Sequence, residues 1–92
     1  MLNPCQEYNK KRLGKTIRMF RRLAGLTLEE LSTLTHVSSK TLARIEYAST
    51  SITVSTLYDI AEAVGVSPAQ ILERADNHTH VADEEHWPNE AY

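Results

Sequence analysis

The sequence predicts an all-α domain of five helices. Two observations carry this. Apolar residues recur at spacings of three and four, and the breaks between periodic segments hold glycine, proline or a capping hydroxyl. A third supports them: the β-branched stretch within Tyr47–Val54 has no partner strand with which to form a sheet.

Asn3-Pro4 can start the first helix, because proline tolerates the first helical position. Leu13, Ile17, Phe20, Leu23 and Ala24 form its apolar face, and Gly25 stops it. Thr27 and Glu30 then make a capping box: the hydroxyl accepts from one free amide and the carboxylate reaches back to another. The second helix runs from about Leu28 to Thr35 with Leu31 and Leu34 inward. His36-Val37-Ser38 is a turn, and Ser38 caps a third helix that reaches about Glu46 and buries Leu42 and Ile45. Both helices are too short to stand alone and must pack on something. A hydroxyl-rich loop follows over residues 47–54. Ser55 is expected to cap the fourth helix, with Leu57, Ile60, Ala61 and Val64 inward and Gly65 at its end. Ser67-Pro68 opens a short fifth helix holding Ile71 and Leu72. Residues 1–12 are an N-terminal arm or the start of helix one, 13–74 the domain, and 75–92 an acidic tail that reads as flexible.

The chain has 92 residues, 41% hydrophobic and 24% charged, which bounds it to one small globular domain. No run approaches the ~20 apolar residues of a membrane span, and no apolar stretch at the N-terminus reads as a secretory signal. One cysteine, Cys5, excludes an internal disulfide framework. A cytoplasmic chain is the expectation, with no membrane partner. The net charge of −2 hides an asymmetry. Residues 1–46 carry nine basic groups against four acidic ones, whereas residues 47–92 carry Arg74 against eight acidic ones. The basic half suits a polyanion; the competing reading is two solvated surfaces.

Two short helices joined by a tight turn inside a five-helix domain describe a helix-turn-helix. IRMFRRLAGLT at 17–27, VSSKTLARIE at 37–46 and LYDIAEAVGVS at 57–67 together resemble the phage-repressor-like (XRE-type, Cro/CI-like) helix-turn-helix family over about residues 13–72. The resemblance implies a lambda-repressor-like domain that binds double-stranded DNA as a homodimer to regulate transcription, in the first instance as a repressor. The physics agrees, since the B-DNA major groove is ~12 Å wide and admits one helix.

On the family pattern Ser39, Lys40 and Arg44 match positions that reach base edges. Lysine and arginine favour the guanine acceptors O6 and N7. The resemblance gives the phosphate-contacting set as Arg18, Arg22, Thr27, Leu28, Ser38, Thr41, Ser49, Thr50 and Ser51. Leu28 stands where the family usually has glutamine, so that anchor is either missing or left to backbone amides. The loop at 49–51 lacks the basic residues that the family carries there; Arg12 and other N-terminal cations are one substitute, a solvated charge run the other reading. Arg21 matches a residue that pairs with the glutamate ending the recognition helix, here Glu46, as a structural ion pair. Departures from the family are Ser32 for alanine, His36 for the turn glycine and Ala48 for the loop glycine. Val66, Ile71 and Leu72 are candidates for a dimer interface, unless they simply finish the core.

No glycine-rich phosphate loop or nucleophile elbow is present, so no enzyme and no cofactor are expected. The tail histidines His78, His80 and His86 lie beside Asp83, Glu84 and Glu85, but nothing in the sequence fixes a metal geometry there, and no metal is assigned. The acidic tail, with Trp87, is also a candidate to dock a protein partner. The alternative function is an antitoxin or protein-binding adaptor on the same fold.

Overall fold

Helix α1 runs from Pro4 to Leu23, so residues 4–12 belong to the helix rather than to a separate arm. The computed structural model describes residues 4–77, with side chains from Asn9 onward; the expectations for the tail at 78–92 lie outside the described residues. Gly25, at φ 76°, lets the chain turn back, and the Leu26 amide closes on the Arg21 carbonyl at 3.1 Å. Helix α2 spans Leu28–Thr35 with both halves of the capping box formed: the Glu30 amide donates to Thr27 Oγ1 at 3.0 Å and the Thr27 amide to Glu30 Oε1 at 2.9 Å. Helix α3 spans Ser39–Glu46, capped by Ser38 Oγ, which accepts from the Thr41 amide at 3.1 Å.

Helix α4 spans Val54–Val64, and its cap is Thr53 rather than the expected Ser55. The Thr56 amide donates to Thr53 Oγ1 at 3.1 Å, which starts the helix two residues early and turns Ser55 into an exposed helical position. Helix α5 spans Pro68–Asn77, passing the expected domain boundary at 74. A second reciprocal cap opens it: the Gln70 amide donates to Ser67 Oγ at 3.1 Å, and the Ser67 amide to Gln70 Oε1 at 2.9 Å.

One core takes a side chain from every helix: Ile17, Leu31, Leu42, Ile45, Leu57, Ile60, Ala61 and Ile71. Each large member contributes about 1.5–3 kcal/mol by leaving water, which is what holds the eight-residue helices α2 and α3 in place. Ile71 is 0% exposed, so it completes this core and leaves the set of candidate interface residues. Helix α1 packs most extensively on α5, then on α3, and also on α4. The consecutive residues Thr16, Ile17 and Arg18 are consequently all buried.

Gly14 marks the closest approach. A Cβ there would lie 2.5 Å from the Ile45 carbonyl oxygen and 2.8 Å from that of Glu46, so α1 meets the last turn of α3 backbone against backbone.

Candidate nucleic-acid interface

The placement of α3 begins with the turn before it. His36 ends α2 in left-handed backbone at φ 62°, with its amide donating to the Ser32 carbonyl at 2.8 Å. Buried Thr35 stiffens the turn: its hydroxyl donates to the Leu31 carbonyl at 2.8 Å and accepts from the Val37 amide at 3.3 Å. Ser38 then opens α3.

The inner side of α3 is fixed by two kinds of contact. Leu42 and Ile45 enter the core. Glu46 meets Arg21 of α1 through two parallel bonds, Arg21 Nε to Glu46 Oε2 at 2.7 Å and Nη2 to Oε1 at 3.1 Å. A third bond runs from Arg21 Nη1 to the Leu26 carbonyl at 2.8 Å. The side chains are 12% and 3% exposed, so this is a buried, fork-to-fork pair.

The outer side carries Lys40 and Arg44, both exposed and four residues apart, hence stacked on one helix face. At 100° per residue that face points away from Leu42. Ser39 and Thr41 are half-buried on the flanks. Ser38 Oγ donates to Thr41 Oγ1 at 2.9 Å, an arrangement that uses the serine's proton and not the threonine's.

The remaining expected contact residues divide. Arg22 and Thr27 are exposed, the latter with its oxygen engaged in the capping box. Leu28 is half-buried against the core, which leaves its backbone amide as its only polar offering. Ser49 and Ser51 are exposed and Thr50 half-buried. The Ser49 amide and hydroxyl both donate to the Arg44 carbonyl, at 2.8 and 3.2 Å, so the loop folds back over the end of α3. Ala48, at φ 63°, makes that reversal.

Arg18 does not join them. It is 2% exposed, enclosed where α1 packs on several neighbours at once, and a side chain so placed does not reach a phosphate in this structure. Arg12 is also occupied at home: it lies against Asp76 of α5 at 3.7 Å and donates to Asn9 Oδ1 at 2.9 Å. Of the two interface candidates left after Ile71, Val66 is half-buried against the core and Leu72 is 49% exposed.

Two features escaped the sequence reading. Gly14 sits on an ordinary helix face, and only the glycine itself, unusual inside a helix, signalled a close approach. Ser67 and Gln70 form a Ser-x-x-Gln box that could have been read directly. Among the described residues no His/Cys/Asp/Glu group is arranged to hold a metal ion, and no helix is long and apolar enough to cross a membrane.

With this geometry in hand, comparison with known proteins is specific. The family model described as helix-turn-helix matches residues 17–71. The chain is 34% identical over 67 residues to the uncharacterized HTH-type transcriptional regulator y4dJ of Sinorhizobium fredii (strain NBRC 101917 / NGR234), covering 73% of this chain and 87% of the relative. Its fold is similar to crystal structures of the clp gene regulator ClgR from Corynebacterium glutamicum. One has TM-score 0.74 and 29% identity, with 79% of this chain and 95% of that chain covered. The other has TM-score 0.76 and 27% identity, with 84% and 82% covered.

Proposed function

The chain belongs to the helix-turn-helix family of transcriptional regulators, and from that membership we propose that it is a sequence-specific repressor which reads duplex DNA as a homodimer with α3 in the major groove. The observation that carries this reading is the two-sidedness of α3. Leu42, Ile45 and Glu46 anchor the helix from behind, while Lys40 and Arg44 stand exposed on the far side. A groove-reading helix needs both halves: a fixed back, so that side chains arrive in register, and donors that reach base edges. Ser39 flanks the donors. Arg22, Thr41, Ser49, Thr50, Ser51 and the amide of Leu28 would hold the backbone phosphates.

Two copies follow from length. An eight-residue helix is about 12 Å long and faces only a few base pairs. Two such helices about 34 Å apart read a two-fold site and double the information. Leu72, with Val66 beside the core, supports a contact between copies. Repression requires only that the bound dimer occupy its site, and no further surface need be invoked.

Selection of duplexes from a random pool, followed by titration of the enriched sequence, tests this. The expected outcome is a pair of related half-sites spaced by about 10 base pairs, with affinity that falls steeply as salt rises. Sedimentation should show a dimer on that duplex. A chain that retains no duplex even at low salt would be a protein-binding adaptor instead.

A further inference from the structure

Lys10, one of the N-terminal cations considered above as a substitute for a basic loop, lies before the stretch matched by the family model. It shares a face of α1 with Leu13, Gly14 and Ile17, at spacings of three and four. Because Gly14 brings α1 onto the end of α3, this face carries Lys10 across to the loop between α3 and α4. There Lys10 lines a crevice with Leu13, Gly14, Ile45, Thr50 and Ile52. The crevice measures only about 20 Å³, room for a single water at most, so nothing larger binds inside it. What it offers is a lining that brings a lysine and a threonine together. A half-buried lysine beside apolar residues such as Leu13 and Ile52 can lay its methylenes on them while its ammonium stays in water.

The loop needs such a neighbour. Residues 47–53 carry Ser49, Thr50 and Ser51 but no cation. Hydroxyls can donate to a phosphate oxygen, but they bring no positive charge to neutralise it and release no counterion. We propose that Lys10 and Thr50 form one phosphodiester-binding point on the duplex, in which α1 supplies the charge that the loop lacks. This rests on the DNA-binding reading. The rival role for Lys10 is structural: an ammonium near the C-terminal end of α3 would stabilise that helix's dipole.

The test uses the full chain and its selected duplex, titrated over roughly 50–200 mM salt. For Lys10→Ala the slope of log affinity against log salt should fall in magnitude by about 0.9 for each protomer bound. The loss should be uniform across duplex sequences, Lys10→Arg should restore the slope, and the melting temperature should hold. Lys11→Ala removes a neighbouring exposed charge and should change the slope less. An unaltered slope overturns the proposal, as does a change equal to that of Lys11→Ala. A lower melting temperature with the slope intact assigns Lys10 the structural role and also overturns it. Wild-type protein that holds no duplex refutes the DNA-binding reading and this site together, whereas wild-type binding with an unchanged Lys10→Ala slope refutes this site alone.

Discussion

The turns that end α1 and α4 close on Gly25 and Gly65, at φ 76° and 85°; those that bracket α3 close on His36 and Ala48, at φ 62° and 63°. Glycine enters left-handed backbone freely. A residue with a Cβ does so at about 1–2 kcal/mol, with histidine among the types found there more often. The scaffold therefore turns without strain, and α3 is hung between two strained residues. Such strain persists only where the surroundings over-determine the backbone. Around α3 they do: the Arg21–Glu46 pair and the Gly14 contact hold its last turn, and the Ser38 cap holds its first.

That contrast can be broken by experiment. The largest expected effect is from Glu46→Ala, which leaves Arg21 buried without its carboxylate and should destabilise the fold by about 3–5 kcal/mol. Thermal unfolding measures it, and an unchanged midpoint would mean that the Arg21–Glu46 pair does not hold α3. Gly14→Ala should follow. Alanine is intrinsically the better helix former by ~1 kcal/mol, yet its methyl would meet two carbonyl oxygens, so a net loss of about 1–3 kcal/mol is expected. A more stable Gly14→Ala protein would deny the backbone contact. On the outer face, Arg44→Ala should weaken binding of the selected duplex by about 1–3 kcal/mol and relax preference at one base position, with stability unchanged. The smallest effects bear on the turns themselves. Ala48→Gly relieves left-handed strain but frees the unfolded chain, a net gain of up to about 1 kcal/mol. Gly65→Ala should move the midpoint the other way by a similar amount. If the two shift together, the division between relaxed and strained turns fails.

Much of this was legible from side chains that act locally. The Thr27/Glu30 box, the Ser38 cap and Gly25 and Gly65 each specify a helix end within four residues, and the structure places those ends accordingly. Where several hydroxyls compete, locality fails: Thr53 and Ser55 each have a backbone amide three residues on, and the structure uses Thr53. The candidate site was legible along α3, whose Leu42–Ile45 stripe leaves Lys40 and Arg44 outside. Arg18 was misjudged because a helix's buried arc depends on how many neighbours it has. One apolar stripe implies one partner, whereas α1 packs on three helices. Gly14 went unread, and Lys10 was counted only among the N-terminal cations, for a related reason. Their significance lies in the distance between α1 and a segment some thirty residues later, which no spacing within α1 encodes.

The guanidinium of Arg21 has one further partner besides Glu46, the Leu26 carbonyl in the link between α1 and α2. A single cation thus fastens both the entry to α2 and the exit from α3. Neither can fray while the other stays docked without stranding a charged donor in a dry site. Backbone amides in α2 and in the last turn of α3 should consequently exchange their hydrogens with a common opening free energy, as one cooperative unit.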